Sequence, residues 1–521
     1  MRTLAHRKIC LILGLILVLG IAVTACGPAA GEEEETTLNI GEGEITAIDP
    51  HKQRDMRTGR TLAHAFESLA QWSEEGELIP WLAESWDVED NGSTFIFHLR
   101  TDVKFHDGTQ FDAEAAKFSL ERVLDPDTAS PSAGQLGAID TINVLDEYTL
   151  EVLLNAPNFL FVHEVTVAAT GMVSPTAVQE LGEAFGDKPV GTGPFMLVSH
   201  EPGSRLVLEA FDDYWGGRPK IDEVVIRIIP EEDSQEIELE AGNLHIANYL
   251  TADGASRLDA QDGYTLIGRP GTNQRMYAFN NEEAPMDDVR VRQAISYAID
   301  REALLDEAFL GMGIPATTGV LPHSWSHNDD VRPTVYDLSS AEALLDEAGW
   351  TMTADGVREK DGEKLHLTIF TGSERERVRA SEVLQAFLLE VGISSEIQSF
   401  EWGTYLDHMR EGGYHLSFWT MNFASPDPNA HYNQFNSAHH WNVMNYRDPR
   451  MDALLDAGRA TTDEQERKDI YDEIQEILID EAVVAWLFHY HHPLVARDTV
   501  QDLFAVPSGY AYLLHNARLA R

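Results

Sequence analysis

The chain of 521 residues contains two cysteines, Cys10 and Cys26. Both lie near the start, so the body of the protein has no thiol. That excludes a disulfide framework and a thiolate metal site there. Basic residues are scarce too: 38 in all, few of them lysine, against 87 acidic ones, for a net charge of -49. Such a field leaves no basic patch able to hold nucleic acid or an anionic membrane. An acid excess spread along the whole chain points to a protein kept soluble in high salt, where screening weakens self-repulsion; the alternative is an ordinary acidic, solvated face. Catalytic signatures are missing as well. There is no nucleophile elbow and no His-Glu-x-x-His. Gly191-Thr192-Gly193 lacks both the glycine spacing and the following Lys-Ser/Thr of a phosphate loop. We therefore expect no enzyme, no cofactor and no resident metal.

Long apolar runs are absent, with one exception. Ile9 to Val23 is apolar but shorter than the ~20 residues of a membrane span, and Arg2, Arg7 and Lys8 precede it. It ends in Val23-Thr24-Ala25-Cys26, small residues directly before a cysteine. Residues 1–25 resemble a bacterial lipoprotein signal peptide, which implies lipid on Cys26 and a place in the periplasm or on the outer face of the cytoplasmic membrane; an uncleaved anchor is the alternative. Residues 26–36, with Glu32 to Glu35, read as a flexible acidic linker.

What remains is ordinary for a globular protein but too long for one core, so two or more domains are expected. The first half alternates short strands and turns. Phe95, Phe97 and Leu99 fall on one face of a strand, and Asp112 is placed to cap a helix ending near Val123. A helix is expected over 57–71 from the spacing of Leu62, Ala65, Phe66 and Leu69. Between Arg269 and Arg301 the character changes. Met276 to Phe279 is a buried strand, Asp288 caps a helix to Ile299, and beyond it strands and helices alternate in a βαβαβ run from Leu365 to Trp419. Ser339 with Glu342 reads as a capping box.

Four stretches carry a family resemblance: Pro80 to Trp86 leading through Phe97-His98-Leu99-Arg100 to Val103 to Gly108; Pro189 to Phe195; Tyr214-Trp215-Gly216-Gly217; and Val291 to Arg301. Together they resemble the peptide/nickel (oligopeptide/dipeptide-binding) solute-binding proteins of ABC importers. The resemblance implies an α/β, two-lobed periplasmic-binding-protein-like fold of the large type II class, with an extra subdomain in lobe one. It implies 37–270 as lobe one including an inserted subdomain at about 50–185, 271–482 as lobe two, and 483–521 as a C-terminal return to lobe one. Crossovers should lie at Arg269 to Tyr277, with Gly271, Thr272 and Asn273 as hinge, and near 480–488. The function implied is capture of a peptide or peptide-like solute outside the cell by hinge closure and its delivery, as a monomer, to permease subunits. Another solute, such as a sugar or a metal chelate, or a sensory or chaperone-like role, is the alternative.

Peptide binders of this family often carry two aspartates after a lobe-two tryptophan, the second directly before a proline. Here the run is Trp419 to Asn429. Anchored on Trp419, the acidic positions become Asn422 and Ser425; anchored on Asp427-Pro428, the aspartate survives after an insertion. Asn or Ser suits a neutral partner better than an ammonium. Trp419, Phe423 and Trp441, with Tyr405 and His440, complete the candidate ligand wall beside Asn422, Ser425 and Asp427. His489 and His491 share one side of a strand, which is short of a complete metal site.

Overall fold

Two sheets organise the chain, and each collects strands from distant parts of the sequence. In the computed structural model residues 36–521 are described, apart from 75–76, 269, 323, 333, 423–426, 440, 507–511 and 521. The first sheet has seven strands in the order Tyr264–Leu266, Val495–Arg497, Ile246–Ala247, Thr37–Glu42, Glu223–Ile228, Arg205–Ala210, Phe195–Glu201. Thr37–Glu42 runs parallel to both its neighbours. Its alternating Leu38 and Ile40 meet Val224, Ile226, Leu206 and Leu208 in one buried core.

The second sheet has six strands: Gly313–Pro315, Val484–His491, Pro270–Phe279, Leu416–Asn422, His366–Gly372, Ser394–Phe400. His366–Gly372 is parallel to Leu416–Asn422 and to Ser394–Phe400, as a βαβαβ run requires. The central strand Pro270–Phe279 separates two cores by its period of two. Tyr277 and Phe279 pack with the helices Val289–Ala298, Arg301–Phe309 and Arg375–Glu390. Met276 and Ala278 pack on the other side with Tyr405, Trp419, Tyr471 and Trp486. A separate antiparallel sheet of four strands, Ala83–Glu89, Thr94–Leu99, Thr149–Leu154 and Ile139–Asp146, closes its own core of Phe95, Phe97, Phe105, Phe111 and Phe161 under helix Ala113–Leu124.

Local signals held where a side chain satisfies a helix end. Asp112 accepts from Ala115 N at 2.9 Å and Asp288 from Arg290 N at 3.0 Å. Two expectations need correction. The helix placed at 57–71 is only Met56–Leu62. Beyond it the backbone bonds outward: Gly193 N to Ala65 O, Phe195 N to His64 O and Met172 N to Glu67 O. Those partners replace the intrahelical ladder, so the apolar spacing of Ala65, Phe66 and Leu69 fills a core without a helix. The capping box at Ser339 is also displaced. Asp337 accepts from both Ser339 N and Ser340 N, and the helix begins at Leu338.

The sheets are joined by two short segments lying side by side. The outgoing chain leaves the first sheet after Leu266 and enters the second at Pro270; the returning chain leaves the second at His491 and re-enters the first at Val495. Ile267 N donates to Leu494 O at 2.8 Å and Gly268 N to the same oxygen at 3.3 Å. The return expected near 480–488 therefore comes later, because Val484–His491 is still paired with Pro270–Phe279.

Candidate functional site

The turn motifs that look like active-site elements hold backbone in place. His106 Nε2 donates to Gly193 O at 2.9 Å while its Nδ1 accepts from Gly191 N at 3.3 Å, which fixes the neutral tautomer. Burial drives this histidine down to about 4. A Cβ on Gly191 would stand 2.1 Å from Ala65 O, so only glycine lets this segment press against residues 64–66.

That brace shapes one wall of a cavity of about 370 Å³ in the first body, whose lining includes Gln53, Arg60, His64, Glu67, Trp72, Trp81 and His515. Arg54 and Asp55 also line it, and two of its charged groups, Arg60 and Glu67, are held by neighbours. Arg60 donates to Glu42 from Nε at 3.0 Å and Nη2 at 2.7 Å, with Asn248 bound to the same carboxylate. Glu67 accepts from Trp81 Nε1 and Tyr214 OH at 2.8 Å each and from Trp215 Nε1 at 3.2 Å. Burial nevertheless pushes the Glu67 carboxyl up to about 7, outweighing these donors. His64 is driven down to about 3, first by burial and then by Arg60 and His515. The sequence reading passed over these residues because a helix at 57–71 places His64 and Glu67 outside the apolar face. The available signal was that they interrupt a buried run.

The residues chosen from sequence are placed as follows. Trp419 is 2 % exposed, its Nε1 donating to Gln434 Oε1 at 3.3 Å, and its ring lies 5.9 Å from Tyr405 and 6.4 Å from Trp402. Tyr405 is fully buried and its hydroxyl meets Ser417 Oγ at 2.6 Å and Phe418 O at 2.9 Å. Both therefore belong to the packed core, and the ring of this stack that reaches solvent is Trp402, 45 % exposed, with the Arg377 guanidinium 5.3 Å from its centre. Trp441 is half-buried beneath Arg410 at 5.4 Å. Asn422 ends its strand opposite Asn273. Its side chain, and all of Phe423, Ser425 and His440, lie outside the described residues, as does Cys26. Asp427 is buried, held by Arg467 through two bonds. Burial pushes the His163 pKa down and the Glu164 carboxyl up to about 7, with smaller effects from the charges of Asp427, Arg467 and Arg459. Gly271, Thr272 and Asn273 lie where pairing with Val484–His491 slips register between Pro270 and Gln274. Asn273 Nδ2 contacts His492 Nε2 at 2.6 Å. His489 is fully buried and driven down to about 4. Among the described residues no group of three or more His, Cys, Asp or Glu could hold a metal ion.

Residues 77–442 match the family described as bacterial extracellular solute-binding proteins, family 5 Middle. The chain belongs to this family. It is 27 % identical to the dipeptide-binding protein of Escherichia coli K12 over 91 % of this chain and 93 % of that one. It is 29 % identical to the nickel-binding periplasmic protein of the same organism over 93 % and 95 %. Among solved structures, NikA from Brucella suis in complex with Fe(III)-EDTA superposes with a TM-score of 0.85 at 25 % identity, covering 93 % of this chain and all of that one. The oligopeptide-binding protein AppA from Bacillus subtilis, at 23 % identity, shares the fold with a TM-score of 0.77 over 94 % of this chain. As a family 5 protein it has a two-lobed α/β fold, works in the periplasm, and carries cargo to an ABC importer by hinge closure without catalysing a reaction.

Proposed function

We infer that the family 5 protein is a lipid-anchored receptor for a peptide-like solute, taken up in the first-lobe cavity and the cleft beside it. The observation that carries this reading is a cavity of about 370 Å³, lined by aromatic rings and a few polar groups, in a two-lobed fold with adjacent crossing segments. Among its relatives the dipeptide-binding and glutathione-binding proteins favour a solute with peptide bonds, while the nickel-binding one stands for the metal-chelate alternative. Taking the seven- and six-stranded sheets as the cores of the two lobes, we read lobe one as 37–266 with 495–521 and lobe two as 270–491. The four-stranded sheet with its own aromatic core supports reading it as the extra subdomain of lobe one. Gly271, Thr272 and Asn273 act as hinge together with Gly268, and Trp402 and Trp441 contribute to the ligand wall for which the sequence also selects Asn422, Phe423 and Ser425. Cys26 carries the lipid, as the small residues before it suggest.

The test is mass spectrometry of solute released from protein purified under native conditions, then calorimetry with that compound. A peptide or peptide-like amide is expected. Recovery of a sugar or a bare metal chelate, with no peptide binding in calorimetry, sinks this reading.

A further inference from the structure

One carboxylate spans the boundary between the lobes. Glu376 stands in the first turn of the lobe-two helix Arg375–Glu390. Its Oε1 accepts from the backbone N of Ala252 at 3.3 Å, and Ala252 opens the lobe-one helix Ala252–Asp259. Its Oε2 accepts from Tyr490 OH at 3.2 Å, on the strand that leads into the returning segment. Thr251 Oγ1 accepts from Gly254 N and serves the lobe-one helix from within, while the Ala252 N–H is met from across the boundary. A negative charge at that end also complements the helix dipole.

Tyr490 carries the contact onward. Its ring lies 4.5 Å from the guanidinium of Arg275, which is 8 % exposed and has no carboxylate within ion-pair distance among the described residues. Arg275 Nη1 donates to Asn273 Oδ1, which turns the Asn273 amide so that its Nδ2 meets His492 Nε2 at 2.6 Å. A chain of polar contacts therefore runs from the lobe-one helix through Glu376 to both crossing segments. Ala252 and Ala255 share one buried core with Ala380 and Leu384 of the lobe-two helix. Burial drives Arg275 down to about 10, and Glu376 is among the charges opposing this. Burial raises the Glu376 carboxyl in turn, and Arg275 is the largest effect against it.

We propose that Glu376 is a positioning residue for hinge closure: it clasps Ala252 of lobe one and, through Tyr490 and Arg275, the crossing segments, and so sets the orientation in which the lobes rest. This rests on the division into two lobes at the crossing, whatever the solute. Both bonds are already long, so a displacement of about 1 Å breaks them and the clasp lets go as the lobes swing.

Small-angle scattering and amide hydrogen exchange of the full protein test this with Glu376→Ala, Glu376→Gln and Tyr490→Phe, and melting temperature shows whether each has folded. In Glu376→Ala the Ala252 amide is expected to exchange at least about fivefold faster, the scale of one lost hydrogen bond, and the radius of gyration to shift. Glu376→Gln keeps an acceptor for Ala252 N and a partner for the Tyr490 hydroxyl, so it should match the unaltered protein in both measurements. Tyr490→Phe keeps its ring over Arg275 and should shift the scattering in the direction of Glu376→Ala, by less. A lowered melting temperature with an unmoved radius of gyration in the folded variants marks a merely structural role and overturns the proposal. So does Glu376→Gln behaving as Glu376→Ala does. If Glu376→Ala does not fold, an unchanged scattering curve for Tyr490→Phe overturns it alone. Recovery of a sugar from the purified protein would sink the peptide reading and leave the clasp standing, whereas unmoved scattering does the reverse.

Discussion

Arg467 holds Asp427 with both arms of its guanidinium: Nη2 stands 2.6 Å from Oδ1 and Nη1 2.8 Å from Oδ2, with both side chains nearly enclosed. Burial alone raises the aspartate's pKa, and His163 and Arg467 overcome that to keep it below the ordinary carboxylate range. This aspartate precedes a proline, in the place where a ligand's amino group could have been met, and it is already committed. Asp427→Asn leaves a buried guanidinium without its counter-ion and is expected to cost about 3–5 kcal/mol in urea unfolding. A loss below about 1 kcal/mol would show the pair to be dispensable.

The same commitment bears on the solute. Blocking the α-amino group of the natural ligand should change its affinity by less than about tenfold. Calorimetry with an acetylated analogue decides this. A loss above about 3 kcal/mol would mean that a carboxylate elsewhere in the cleft receives the ammonium.

Gly268 is the tightest point between the crossing segments, since a Cβ there would lie 1.8 Å from His492 O. Gly268→Ala must push the segments apart and weaken the bond to Leu494 O. A destabilisation of about 1–3 kcal/mol is expected, with a change in the open-to-closed balance measurable by small-angle scattering. An unaltered melting temperature and scattering curve would refute the close approach.

Acid should destabilise the protein well above the carboxylate range. His51, His106, His431 and His489 are each driven down to about 4 and His64 to about 3, chiefly by burial. Their folded values lie below the unfolded one near 6.5, so between the two the unfolded chain binds more protons. Their contribution is complete above about pH 6.5 and is lost as pH falls toward 4. The urea midpoint should drop steadily over that window, and a flat profile would contradict the burial of these rings.

Glu67 works in the opposite sense. Its pKa is raised from 4.5 to about 7, so its contribution is complete below about 4.5 and disappears as pH rises through 7. The swing is on the order of 3 kcal/mol. Glu67→Gln keeps an acceptor for Trp81 and Tyr214 but cannot ionise, so the stability of the unaltered protein relative to this variant should fall between pH 5 and pH 8. A constant difference would show that Glu67 ionises in the folded protein as it does in water.

A net charge of -49 adds a dependence on salt. Melting temperature should rise from low to molar sodium chloride as self-repulsion is screened. No change over that range would leave the acid excess as a plain solvated surface.

Much of this was legible in the sequence where one residue governs one local choice. Asp112 and Asp288 announced their helices because a cap is a short-range bond. The βαβαβ run was visible because period 2 and period 3.6 alternate cleanly between Leu365 and Trp419. The cavity was not legible. Its lining joins Gln53, Trp81 and His515, which are hundreds of residues apart in part and meet through the first lobe's tertiary packing. Trp419 and Tyr405 were chosen as ligand-facing because aromatic content marks both cores and binding walls. Only the packing shows that their stack ends outward at Trp402. Asp427 could not be paired with Arg467 from sequence, since their contact spans 40 residues of helix and loop.

The hydrogen bonds from Ile267 and Gly268 to Leu494 make the two connections between lobes behave as one ribbon. Two independent tethers would let the lobes slide as well as swing. A bonded ribbon resists relative sliding of its edges and bends most easily across its own plane. The lobes then open and close like covers on a spine, and each closure returns the same surfaces to the same register for the permease to read.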